Sequence, residues 1–489
     1  MWREDEGRMG STFAESEYRS PLAARFASPE MVENFSEIKK FRTWRRIWIA
    51  LAEAQAELGL PISSAQIAEM KAHADDIDLA AAAAYERRFR HDVMAHVHAF
   101  GDACPTARPI IHLGATSCDV TDNADILIVR DALQIILRKV VNVIDRLASF
   151  AERYRDVPAL GWTHFQPAQL TTVGKRATLW AMDFLMDLDD IERRLSGIRL
   201  RGIRGATGTQ ASYLDLFDGD EGKVIELERR VALKLGIPHC FSVTGQTYPR
   251  KFDAQILALL SGIGQSASKF ATDLRLLQHL HEVEEPFEET QIGSSAMPYK
   301  QNPMRCERIT GLARFLICLE PNAAFTAATQ WLERTLDDSS NRRLSLPEAF
   351  LAADAVLLVT MNVAAGMRPN LHIIERNVRR ELPFMATESI LMAAVKAGGD
   401  RQRLHEAIRR HSIAAAKALR EGAEKNDLFD RIAADADFAM VREILPRLAD
   451  PGRFIGRAPR QVEEFLVEHV APMRQRHAAI LGHSAELKV

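Results

Sequence analysis

Cysteine is scarce and scattered: five residues in 489, at positions 104, 118, 240, 306 and 318, with no C-x-x-C spacing. An odd number so placed fits neither a disulfide framework nor a zinc site, and suits a reducing compartment, the cytoplasm by default. Long apolar runs are missing too, with none approaching the ~18 residues of a membrane span. The first twenty residues, MWREDEGRMGSTFAESEYRS, have no apolar h-region and carry acids, so residues 1–19 read as a loose tail rather than an export or organelle signal. A net charge of only −3 argues against a non-specific nucleic-acid or anionic-membrane partner. It leaves room for an anionic small molecule, which a local arginine cluster can hold.

What is present is globular: 47% hydrophobic and 26% charged residues, in a chain too long for one ordinary core. Apolar residues recur every three or four positions through 29–58 (Phe35, Ile38, Phe41, Trp44, Ile47, Trp48, Leu51) until Gly59 and Pro61 stop the helix. Trp44 and Trp48 read as core. A second helix is expected from Asp122-Asn123, with Ile126, Leu133, Ile136, Leu137, Val140, Ile144 and Leu147 as its stripe. Further long helices are expected at 173–195, 252–280, 302–320 and 344–365, and hardly one convincing strand. Beyond Pro369 the helices shorten. The reading is all-α, with long helices packed as a bundle and some seams left for partner subunits. Its divisions are an N-terminal domain 1–116, a central bundle 117–369 and a C-terminal domain 370–489.

The stretch that stands out is Gln291–Arg308, QIGSSAMPYKQNPMRCER, a polar, glycine- and proline-punctuated loop between two helices. Loops of this kind are more often functional than decorative. Gly293-Ser294-Ser295 offers a bendable backbone with N–H groups and two hydroxyls, and Lys300 adds a positive charge, which together suit an anionic intermediate. The residues alone do not choose between Ser294 and Ser295. RHDVMAHVH at 90–98 invites a metal reading, but no HExxH-type spacing supports it. GIRGATGTQAS, from Gly202, is glycine-rich but lacks the Lys-Ser/Thr of a phosphate loop.

GSSAMPYKQNP resembles the GSxxMPxKxNP signature of the fumarase/aspartase superfamily, lyases that release fumarate by β-elimination. THFQPAQLTTVGKR at 163–176, RHDVMAHVH, HLGATS at 112–117 and QWLERTLDDSSNRR at 330–343 are similar to the adenylosuccinate lyase family within it, in its eukaryote-type branch. The resemblance runs from about Tyr18 nearly to the C-terminus. It implies a three-domain all-α protomer whose central bundles form a homotetramer, with each site assembled from three subunits. It also implies release of fumarate from adenylosuccinate and from SAICAR, without metal or organic cofactor, since elimination involves no redox change.

By the same resemblance His164 is the general acid and Ser294 the general base. Lys300 stabilises the aci-carboxylate and His91 lines the pocket. Arg25, Phe26, Arg90, Asp92, Thr116, Ser117, Thr163, Gln246, Asn302, Arg308, Arg334, Ser339 and Arg343 are the expected substrate contacts. Arg334 and Arg343 would flank a polar turn, TLDDSSN, that wraps a phosphate. Three positions depart from the nearest relatives: Phe26 stands where tyrosine is usual, and Gln301 and Cys306 replace arginine and serine. The alternatives are a sister enzyme of the argininosuccinate lyase kind and a non-catalytic protein of the same fold.

Overall fold

The computed structural model describes residues 18–288, 290–484 and 487. The loose tail expected at 1–19 therefore lies, but for its last two residues, outside the described residues. Helix α1, Glu37–Glu57, starts where Ser36 accepts the Lys39 N–H, and buries Phe41, Trp44, Ile47, Trp48 and Leu51 on one face. Helix α2 is Asp92–Ala103, and α3, Ser117–Arg153, is the longest element. The start of α3 lies five residues before the expected Asp122. The Asp119 carboxylate accepts the Thr116 N–H at 2.8 Å, so the capping carboxylate lies inside the first turn.

After α3 the chain forms an antiparallel hairpin, β1 Pro158–Thr163 and β2 Gln166–Thr172, with a register shift between Leu160 and Trp162. Hardly one strand is expected from the sequence, and here Pro158, Gly161 and Pro167 mask the strand pattern. Helix α4, Val173–Ser196, leaves the hairpin across α3. A side chain on Gly174 would sit 2.3 Å from the Ala151 carbonyl, so glycine alone permits that crossing.

Helices α5, Lys251–His279, α6, Met304–Thr329, and α7, Asp337–Gly366, complete the bundle. The last two are longer than expected: α6 runs on through Pro321, and α7 starts seven residues earlier, at Asp337. Contrary to the expectation that no run approaches the length of a membrane span, helix α7 is long and apolar enough to cross one by composition alone. Most of that window is buried in the fold, as in any core helix. Helices α3, α5 and α7 begin together, where Arg250 pairs with Asp122 and Asp338. Helix α4 runs against α5, with Trp180 on Asp273 at one end and Arg194 on Gln255 at the other. The bundle thus has two poles. The 117, 250 and 338 segments mark the first. The hairpin and the 280–303 loop mark the second, where Val283–Glu284 pairs with Arg368–Pro369.

Midway, the fully buried Lys139 ammonium bonds Asp354 and the Ser28 hydroxyl, tying the N-terminal segment to α3 and α7. Beyond α7, helices α8 Leu371–Met385, α9 Thr387–Lys396 and α10 Arg401–Arg420 follow. Ile390, Leu404, Ile408, Leu428, Ile432 and Phe438 make a separate small core, while Val462, Val470 and Met473 return to the main one.

Candidate active site

The signature loop folds on itself. Gly293 lies against the Lys300 carbonyl, which a β-carbon there would approach to 2.1 Å, and the Asn302 amide donates to the Gly293 carbonyl at 2.8 Å. Inside this ring the Ser294 hydroxyl accepts two backbone N–H groups, from Met297 at 3.1 Å and Ala296 at 3.3 Å. Ser295 receives no such pair among the described residues, so the geometry separates two serines that composition could not. Lys300 is exposed on the same loop.

Both ends of the loop are fixed by one acid. The buried Glu285 carboxylate accepts the N–H groups of Arg305 at 2.9 Å and Cys306 at 2.8 Å, capping α6. Burial raises Glu285 above the usual carboxylate range despite these bonds. Arg305 reaches Asn362 at 2.7 Å and Glu288 at 2.6 Å. One turn along α6, the Arg308 guanidinium lies 5.7 Å from the Phe26 ring. Burial and the neighbouring Arg25 and Arg305 lower its pKa, so cations gather here. The Phe26 position thus faces a guanidinium through a ring, without a hydroxyl.

His164 stands at the tip of the hairpin. His164 and Phe165 have φ of +53° and +58°, the two-residue turn that usually takes Asn-Gly. Each non-glycine residue in this region costs about 1–2 kcal/mol. Thr163 and Gln166 close the turn, and the tip is exposed. Strained turns kept in this way cluster at functional sites.

The remaining candidates gather at the first pole. His91 caps α2, its ring 3.5 Å from the Ser117 hydroxyl. Arg90, in the left-handed region, ends the helix before it, so that His91 can open α2. Asp92 takes the Arg343 guanidinium at 2.7 Å. Burial would raise Asp92, but the Val93 N–H and Arg343 hold it below its ordinary value. Arg334 binds Asp338 at 3.0 Å, and the Gln246 amide donates to the Ala206 carbonyl at 2.9 Å. The expected polar turn between Arg334 and Arg343 is absent. Helix α7 begins at Asp337, so Ser339 and Arg343 lie on its first turns and only Arg334 precedes them. Thr116 sits just before α3, beside Ser117.

Sequence reasoning missed what holds this pole. Buried Asp119 accepts Arg201, the N–H groups of Arg204 at 2.7 Å and Gly205 at 3.1 Å, and the Tyr213 hydroxyl at 3.2 Å. The glycine-rich GIRGATG segment therefore wraps a carboxylate of its own chain. The Thr-x-x-Asp spacing at 116–119 signals the cap on Thr116 but not these distant partners. Arg342 bonds Asp253, Asp125 and the Tyr248 hydroxyl. The histidines of RHDVMAHVH diverge: His96 stacks on Phe41, and His98 stacks on Tyr85 and packs against Phe89. Among the described residues no His, Cys, Asp and Glu cluster is arranged to hold a metal ion.

One chain does not bring these parts together. Helix α3 has 37 residues. At 1.5 Å per residue it spans roughly 55 Å, with Ser117 at one end and the His164 hairpin beyond the other.

A lyase family model matches residues 24–317, and an adenylosuccinate lyase C-terminus model matches 383–465. Adenylosuccinate lyase of Saccharomyces cerevisiae is 54% identical over 456 residues, covering 93% of this chain and 95% of the relative. That of Schistosoma mansoni is 51% identical over 475 residues, covering 97% and 99%. The 3-carboxy-cis,cis-muconate lactonizing enzyme of Pseudomonas putida has the same fold, with TM-score 0.79 at 24% identity over 93% of this chain and 99% of that one. On these matches the chain belongs to the adenylosuccinate lyase family.

Proposed function

We propose that this chain cleaves the C–N bond of adenylosuccinate to give AMP and fumarate, and of SAICAR to give AICAR and fumarate. The observation that carries this reading is the pair of backbone N–H groups on the Ser294 hydroxyl. Donors aimed at an oxygen favour its charged form, so they lower the cost of a serine alkoxide. In this reading the alkoxide takes the proton from the carbon next to a carboxylate. Lys300 and Asn302 face the dianion that forms, and His164 protonates the departing nitrogen. Arg25, Arg308, Arg334 and Arg343 supply cations for carboxylates and phosphate. The family match to adenylosuccinate lyases favours this substrate over argininosuccinate.

The site is shared between subunits of a homotetramer, because Ser117, His91 and Arg343 lie at the pole opposite Ser294 and His164. Exposed apolar side chains support such seams: Leu179, Met182 and Met186 recur along one face of α4, and Phe315 and Phe325 along α6. The five free cysteines suit the cytoplasm as the compartment.

Two measurements test the reading. Purified protein should release fumarate from adenylosuccinate and not from argininosuccinate; the reverse result would sink the substrate assignment. Inactive Ser294→Ala and Arg343→Ala proteins, dissociated and reassembled together, should regain part of the activity. No recovery from a properly assembled mixture rejects shared sites.

A further inference from the structure

A cavity of about 510 Å³ opens beside the first pole, between the end of α4 and the start of α5. Its lining includes Arg194, Arg199, Lys251, Ser242, Gln255 and Phe241, and no carboxylate. An ordinary protein surface intersperses its charges, whereas here three cations line one hollow with no acid in its wall, the nearby Asp190 acting, of the three, only on Arg194.

Two of the cations are uncommitted and the third only partly committed. Among the described residues neither the Arg199 nor the Lys251 side chain has a hydrogen bond or ion pair. Arg194 donates from one terminal nitrogen to Gln255 at 2.8 Å, yet its Nε is buried with no partner. Lys251 is the first residue of the 29-residue helix α5, so the positive end of that helix adds to the same field. Phe241 and Pro249 give the hollow an apolar side. The volume falls within the roughly 300–1,000 Å³ of small-molecule sites.

We propose that this cavity is an anion site for a phosphate-bearing small molecule, with the phosphate on Arg194, Arg199, Lys251 and Ser242 and an organic body against Phe241. It shares no residue with the candidate active site, although one segment, 240–252, supplies both Gln246 and much of the cavity wall. The assignment does not depend on the proposed reaction.

The test reads Lys251 directly, in the full-length protein in its native assembly. Lysine acetylation by an amine reagent is followed at each peptide by mass spectrometry, with and without inorganic pyrophosphate as the probe. At ten times its Kd the probe should slow Lys251 labelling about tenfold. Arg199→Ala should abolish that protection, and Arg343→Ala, in the candidate active site, should leave it. The proposal is overturned if pyrophosphate does not slow labelling, if protection survives Arg199→Ala, or if Arg343→Ala removes it. A Lys251 that is unreactive before any probe is added overturns it as well, because the cavity is then closed. Should Arg199→Ala fail to fold, Arg199→Gln serves the same comparison, and the wild-type protection remains decisive.

Discussion

The two poles of the bundle are built in opposite ways. At the first, carboxylates and guanidinium groups are buried and paired with one another: Asp119 and Arg201 are both fully buried, and Asp122, Arg250, Asp338, Asp253 and Arg342 are nearly so. At the second, the signature loop is exposed from Ser295 to Gln301 and is held by its own hydrogen bonds and by Glu285 at its ends. The difference separates two tasks. A buried ionic framework makes a rigid floor for the residues proposed to receive substrate charges. A loop with few buried contacts stays near the low end of local stability, where catalytic segments have to be.

The contrast can be broken first at the loop. Ser294→Ala should lower turnover by roughly 10²–10⁴-fold, the range for a lost proton-transfer group, with an unchanged melting temperature. Fumarate absorbance measures it, and near-normal turnover would reject Ser294 as the base. At the other pole the expected change is in stability. Asp119→Ala strands Arg201 in the interior and should cost about 3–5 kcal/mol in denaturant unfolding. If it costs nothing, the first pole is not the rigid one.

Glu285→Gln sharpens the comparison, since this residue joins the loop to the bundle. Weakening the cap should displace the loop and reduce kcat by up to about 10²-fold while KM changes little. A loss of stability with kcat intact would make Glu285 purely structural.

The smallest effect is in pH. Burial, then Lys40 and Arg45, pull His96 down to about 4 from 6.5. The unfolded chain therefore binds a proton that the folded chain refuses between these values. The stability contributed by neutral His96 is complete above about pH 6.5 and is lost as the pH falls toward about 4. Melting temperature against pH should be flatter in this window for His96→Gln, and identical slopes would refute it.

Much of this was legible in the sequence. Periodicity placed the long helices and put Trp44 and Trp48 in the core, because burial imposes a repeat that composition preserves. It misjudged ends where a side chain caps from inside the helix, as Asp119 does, where a proline is tolerated, as at Pro321, and where the first turns are polar, as at Asp337–Arg343. The β1–β2 hairpin was hidden because glycine and proline erase the alternation of a short strand pair. Site residues were legible only through resemblance. No local pattern tells that Asp119 and Glu285 bind backbone N–H groups across long sequence gaps, 85 positions in the case of Arg204.

The His164–Phe165 turn has a consequence for anyone who would engineer this protein. A stabilising redesign guided by turn preference alone would install Asn-Gly there, gaining rigidity in the hairpin and deleting the imidazole in the same step. With His164 as the proposed general acid, an optimiser of melting temperature and an optimiser of turnover would make opposite choices here, so a thermostable library should hold residues 164 and 165 fixed.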